Sequence, residues 1–277
     1  MEATITTKKS LAKHPIVKLF TPNARITSEW FYGMLAVQIV IFLWMWSAMK
    51  PDLLPGPLDV IKSLVKIITD GTLISEMWPS LTLTVVSMAR AIFISLILCY
   101  LSVIPWFGPS AFVATKGRYA ALAGLQFVFM LWTNDGHSLK VLMLEFGVSV
   151  FFITGMLSVI REKCVPGTDL GSLRYDHARS LGMNPWRVWF EITILGTIQD
   201  VLDLIRQNFA MCWTFLTMVE IIVMSEGGVG KMMFLENKYM RMNNVLAIQL
   251  AVITVGVTAD TILATLRYVI CPWLIKK

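Results

Sequence analysis

"LKVLMLEFGVSVFFITGMLSVI", residues 139–160, is an almost unbroken apolar run with two ionisable residues, Lys140 and Glu145. A bilayer core takes about 20 mainly apolar residues when they are wound as a helix. Water is absent there, so peptide groups must bond within the segment, and the run reads as a transmembrane helix. Working outward, the same measure finds residues 31–49 and 81–107 upstream, a short run over 119–132, and residues 208–225 and 243–266 downstream. The whole chain agrees: it has 277 residues, 56% hydrophobic and 15% charged, and a mean hydropathy of +0.67. Such a composition excludes a soluble domain of this length. The expectation is an all-α membrane protein of about six transmembrane helices.

Ionisable residues at membrane depth need explaining, because a charge there must face protein or water. Arg90, Glu145, Glu220 and Asp260 fall inside the apolar runs. Arg90 is a candidate partner for Glu220 or for an anionic solute in a pathway. Glu220 suits a structural salt bridge or a helix-pairing contact. Asp260 and Arg267, seven apart, are expected to act together on one helix face.

Lys and Arg orient the helices, since basic residues are retained on the cytoplasmic side. With the N-terminus inside, fifteen fall in cytoplasmic segments, Lys116, Arg118 and Arg161 among them, against six outside. Both termini are therefore expected in the cytoplasm. Residues 1–30 read as a basic cytosolic tail without the apolar core and cleavage site of a signal peptide. The net charge of +6 is mostly this bias and calls for no nucleic-acid partner.

Cys99, Cys164, Cys212 and Cys271 have no pair at ligand or redox spacing. His14, His137 and His177 lie far apart. No metal site is expected, and neither a Ser-His-Asp order nor paired carboxylates stand out as a catalytic centre. An intramembrane enzyme stays as an alternative class.

Two segments outside the runs have patterns of their own. In "LPGPLDVIKSLVKIITDG", residues 54–71, apolar residues recur at Leu58, Ile61, Leu64, Val65 and Ile68, a stripe on a helix begun by Pro57 and closed by Gly71. That helix lies either on the outer membrane surface or against the protein's own spans. In "YDHARSLGMNPWRVWFEITIL", residues 175–195, Gly182 can end one helix in the left-handed conformation. Asn184 can cap the next, with Pro185 at its first position. Trp186, Trp189, Phe190 and Thr193 then recur at helical spacing and are expected on one side, with Arg187 and Glu191 on another.

"DHARSLG" resembles the E-A-A-R-x-L-G opening of the EAA loop of binding-protein-dependent ABC importer permeases. Gly182 stands at the motif glycine, and Ile192 stands ten residues on, at the apolar position before L-P. Arg206, Trp213 and Glu220 match the R, W and E spacing of the nitrate/sulfonate/taurine branch. "GGVG", residues 227–230, resembles its S-G-L-G, residues 54–71 its L-P-S-P-x-x-V segment, and "CPW" its closing P-W. The similarity covers about residues 53–273. The chain departs from the pattern at Asp176, where the family has glutamate, at His177, where it has alanine, and at Ile194-Leu195, where it has L-P. Of the family's W-F-G-x-G-E-x-S-K, only Trp132, Gly136 and Lys140 remain.

The resemblance implies a permease domain over residues 31–277, with a coupling loop at 172–195 between the fourth and fifth spans. In that loop Leu173, Ala178, Leu181 and Trp186 would anchor in a groove of a separate ATPase subunit. Asp176, His177, Arg179 and Arg187 would supply polar contacts around the Gly182 joint. ATP would be bound by that partner and no cofactor by this chain, which contains no G-x-x-x-x-G-K-[ST] loop. An external substrate-binding protein and a second permease copy complete the implied assembly. Arg90, Arg206, Trp213 and Glu220 are the pathway or gate candidates, and the implied solute is a small anion. The altered loop residues keep open a further class, a degenerate permease serving as a membrane scaffold. A secondary transporter is disfavoured, since the sequence suggests neither paired inverted repeats nor broken helices.

Overall fold

The computed structural model describes residues 27–48, 55–120, 122–164 and 169–272. The expected basic tail lies, up to residue 26, outside the described residues, as does the end of the "CPW" segment. The regular elements among the described residues are all helical. The chain divides into two compact units, Met1–Val60 and Ile61–Lys277.

Within the first unit lies helix α1, Ser28–Ala48, apolar all the way round and with no buried residue. A helix of that kind requires an apolar solvent. Helix α2, Pro57–Thr69, begins in the first unit and ends in the second. It buries Val60 and Ile67 and leaves Leu58, Ile61, Val65 and Ile68 exposed. The apolar stripe expected from the sequence is thus turned outward, as a helix resting on a membrane surface would have it.

The second unit is organised around α6, Gly136–Lys163, 28 residues and about 42 Å long. Leu144, Val148, Phe152 and Met156 recur every four residues along it and are fully buried. That ridge suits packing into grooves of neighbouring helices. α6 packs on α3 (Thr72–Leu101) and α9 (Ile198–Ile222), while α10 (Val229–Lys238) and α11 (Met242–Ile270) pack on each other and on α9. Among the described residues four helices, α1, α3, α6 and α11, are long and apolar enough to cross a membrane. This is a multi-pass membrane protein.

α3 begins nine residues before the expected Leu81 and runs through Pro79. α9 likewise begins ten residues before the expected Asn208, and its added turns carry Asp200, Asp203 and Arg206. Each of these has a partner on another helix: Lys163 with Asp200 at 2.7 Å, Arg267 with Asp203 at 2.8 Å and Arg206 with Asp260 at 2.6 Å. Asp260 therefore pairs with Arg206, not with Arg267 as a companion on its own helix. Seven residues separate the latter two by about 10 Å along the axis, and the facing helix offers closer charges.

The run over residues 119–132 is not one span. α4 (Gly108–Lys116) and α5 (Leu122–Met130) are nine residues each. At about 13 Å apiece neither can cross a bilayer core. A 3-10 turn, Gly117–Tyr119, links them, and Ala120 in extended conformation breaks the helix. Together they follow α6 over most of its length. Ala111 packs with Phe152, Ile153 and Met156, a Cβ on Gly117 would meet Val150 at 3.2 Å, Leu122 lies beside Gly147, and Met130 shares a cavity with Leu139. Lys116 ends α4 and Arg118 lies in the linking turn, both beside α6.

Candidate functional site

Two polar regions occupy opposite ends of the core. At the basic end, α7 (Asp169–Ser180) stops at a joint where Gly182 has φ +69°. Met183 N–H bonds to Ala178 O and Gly182 N–H to Arg179 O, which satisfies carbonyls orphaned by the helix end. Asn184 then caps α8 (Pro185–Val188), its side-chain oxygen accepting from Trp186 N–H at 3.4 Å. The joint and cap are those the sequence indicates. Beyond Val188 the chain winds as a π-helix, Trp189–Ile194, and a short 3-10 turn, Leu195–Thr197, before entering α9.

The π-helix changes which side chains share a face. Trp186 and Phe190 are exposed, whereas Thr193 is buried and Trp189 is directed inward, its indole N–H donating to Tyr100 O at 3.2 Å. Trp186 and Trp189 still meet edge to face, with ring centroids 6.1 Å apart, while Thr193 is turned into the core, where i→i+5 bonding beyond Trp189 widens the turn. Tyr100 and Thr197 hydroxyls also meet, at 3.3 Å, and Cys164 Sγ contacts Ile192 O. These contacts fasten the segment to the ends of α3 and α6. Burial pushes the phenol of Tyr175 above its ordinary range, and Cys164 adds to the rise. Arg187 is raised by its hydrogen bond to Glu191, 2.8 Å away.

Of the residues expected to dock a partner, Leu173, Leu181 and Trp186 are exposed by 71%, 62% and 66%. Asp176, His177, Arg179, Gly182 and Arg187 are exposed as well. Ala178 is the exception. It is buried within this chain, so it cannot serve as an outward anchor without rearrangement.

At the other end, the segment 225–230 is held by side chains from three helices. α10 has no side-chain cap of its own. Its leading N–H groups instead find acceptors elsewhere: Gly228 N–H donates to Glu76 Oε2 at 2.6 Å, Val229 N–H to Ser80 Oγ at 3.1 Å and Gly230 N–H to Glu220 Oε2 at 2.7 Å. Ser80 in turn donates to Glu220 Oε1 at 2.5 Å. Carboxylates belong at a helix N-terminus, where backbone donors are unpaired and the dipole is positive. Buried Lys140 of α6 donates to Gly227 O at 2.9 Å, and His137 Nδ1 lies 3.2 Å from Glu226 Oε2.

The glycines are a steric necessity. Gly227 and Gly228 have φ +80° and +108°. A Cβ on Gly228 would collide with the Glu220 carboxylate, and one on Gly230 with Thr217 O. The sequence reading picked out Glu220 and "GGVG" but missed Glu76 and Ser80, which lie in the part of α3 before the expected start at Leu81. Lys140 was legible as an ionisable residue in an apolar run and as a surviving motif position.

The remaining candidates are dispersed. Arg90 pairs with Glu145 at 3.1 Å, not with Glu220. Glu220 lies at the level of Ser80, and ten residues of helix carry Arg90 about 15 Å further along. Trp213 is buried, donates to Val252 O at 3.0 Å and lies against Gly256, as a helix-packing residue does. Arg206 forms a two-pronged contact with Asp260, Nε to Oδ1 at 2.7 Å and Nη2 to Oδ2 at 2.6 Å. Among the described residues no group of three His, Cys, Asp or Glu side chains is placed to hold a metal.

No protein-family model and no curated protein matches the chain. Among solved structures, it is similar to a chain of the crystal structure of an amino acid ABC transporter with histidines. The TM-score is 0.60 at 16% identity, over 74% of this chain and 97% of that one. The fold is thus one found in an ABC transporter.

Proposed function

We propose that this chain is the membrane-spanning permease subunit of an ATP-binding-cassette importer in a bacterial cytoplasmic membrane. In this reading a separate ATPase docks on the loop at 172–195, an external binding protein delivers the solute, and a second permease copy completes the pathway. The solute is a small anion of the nitrate, sulfonate, taurine or bicarbonate kind, in keeping with the sequence resemblance. The observation that carries the reading is the construction of the loop at the basic end. It presents Leu173, Leu181 and Trp186 outward, as a helix-in-groove contact needs apolar anchors. The same segment is fastened to α3 through Trp189 and to α9 by continuous winding. Closure of ATPase subunits around it would therefore move spans as rigid bodies.

The test is retention of the ATPase subunit during purification in detergent. Wild type is expected to retain it, and Leu173→Ser/Trp186→Ser to lose it while eluting as a folded species. Retention by both removes these side chains as anchors. Failure of wild type to bind favours the scaffold alternative.

A further inference from the structure

α4 and the basic end of α6 line an open cleft of about 610 Å³. Three cations line it: Lys116 at the end of α4, Arg118 in the turn that breaks the segment, and Arg161 in the last turn of α6. Among the described residues none of the three forms an ion pair. The Lys116 ammonium lies 5.1 Å from the centre of the Phe112 ring. The Arg118 guanidinium lies over Tyr119 at 4.9 Å and donates to its hydroxyl at 2.8 Å. Ring contacts steady the cationic heads but leave their net charge in place. The one carboxylate on the wall, Glu162, is already engaged.

Arg118 also lines a second cavity, of about 300 Å³, walled by Phe146, Phe151 and Phe215. An apolar wall lowers the local dielectric and strengthens attraction for a counter-charge. Arg90, by contrast, has Glu145 beside it.

The hydroxyls of the open cleft call for the opposite chemistry. Thr115, Thr154 and Ser158 each donate to a carbonyl of their own helix, at 2.7, 2.8 and 2.7 Å. With those hydrogens committed, the oxygens retain lone pairs for a donor. A ligand satisfying both sets has an oxyanion group and an O–H or N–H donor near it.

We propose that this cleft binds a molecule bearing a phosphate- or sulfonate-like oxyanion with a neighbouring hydrogen-bond donor, the oxyanion held by Lys116, Arg118 and Arg161. The glycerol-phosphate headgroup of a lipid and a small soluble solute share this chemistry. The site stands on its own geometry and does not depend on the importer reading.

The test uses the full chain in phosphatidylcholine nanodiscs and two probes. Glycerol 1-phosphate is titrated by calorimetry, and phosphatidylglycerol, mixed into the discs, is followed by native mass spectrometry. At least one is expected to bind saturably, and Lys116→Gln/Arg118→Gln/Arg161→Gln to weaken it by about tenfold or more. Arg118→Lys/Arg161→Lys, which keeps the charge, should retain most of the binding. Binding of glycerol 1-phosphate alone assigns a solute site, and binding of phosphatidylglycerol alone a lipid site. Should the triple variant lose its helical circular dichroism, Arg161→Gln alone repeats the measurement at an exposed position. Absence of saturable binding of both probes, or undiminished binding by the folded variants, overturns the proposal.

Discussion

Gly228, at one end of the core, and Gly182, at the other, both take a left-handed backbone, with φ +108° and +69°. At Gly228 the space a side chain would occupy is filled by the Glu220 carboxylate; at Gly182 nothing lies within 4 Å. The first glycine lets buried acceptors from distant helices reach backbone donors. The second lets an exposed loop turn sharply and present its side chains outward. One backbone device therefore serves an internally completed clasp and an open docking surface, and only the surroundings distinguish them.

The strongest way to break this contrast is Glu220→Ala. It strands Gly230 N–H and the Ser80 hydroxyl in a buried site, and the expected loss is about 3 kcal/mol or more. Thermal unfolding in detergent reads this, and an unchanged midpoint would mean that the clasp holds nothing. Next comes Gly228→Ala, which combines a strained φ with a collision on Glu220, for an expected loss of about 2 kcal/mol. Gly182→Ala meets only the backbone strain and should lose about 1 kcal/mol. If the two alanine variants ranked the other way, the contrast between filled and open glycines would fail.

Trp189→Phe sharpens the picture of the loop. Removing the indole donor to Tyr100 O should destabilise by about 1 kcal/mol. Protease sensitivity confined to residues 181–197 would locate the effect at the joint rather than in the core. The smallest effect is expected from Leu173→Ser/Trp186→Ser, within about 0.5 kcal/mol for the isolated chain, since both residues are exposed. Its consequence should appear only in ATPase retention.

Local chemistry was legible from the sequence alone. Apolar runs separated by polar segments imposed membrane helices, because peptide groups in lipid must bond within their own segment. The Gly182 joint, the Asn184 cap and the Pro57–Gly71 helix were readable for the same reason: backbone conformation there depends on residues within one turn. The pairing of α4 and α5 along α6 was not readable, since Lys116 and Arg118 read as loop residues until the neighbouring α6 is in view. Nor were the ionic partners. Arg90 with Glu145, Arg206 with Asp260, and Glu220 with Ser80 and Gly230 are contacts between residues 10 to 140 positions apart or on facing helices. Sequence spacing can show that a buried charge must find a partner; which partner it finds is decided by how the helices pack, and tertiary structure alone supplies that.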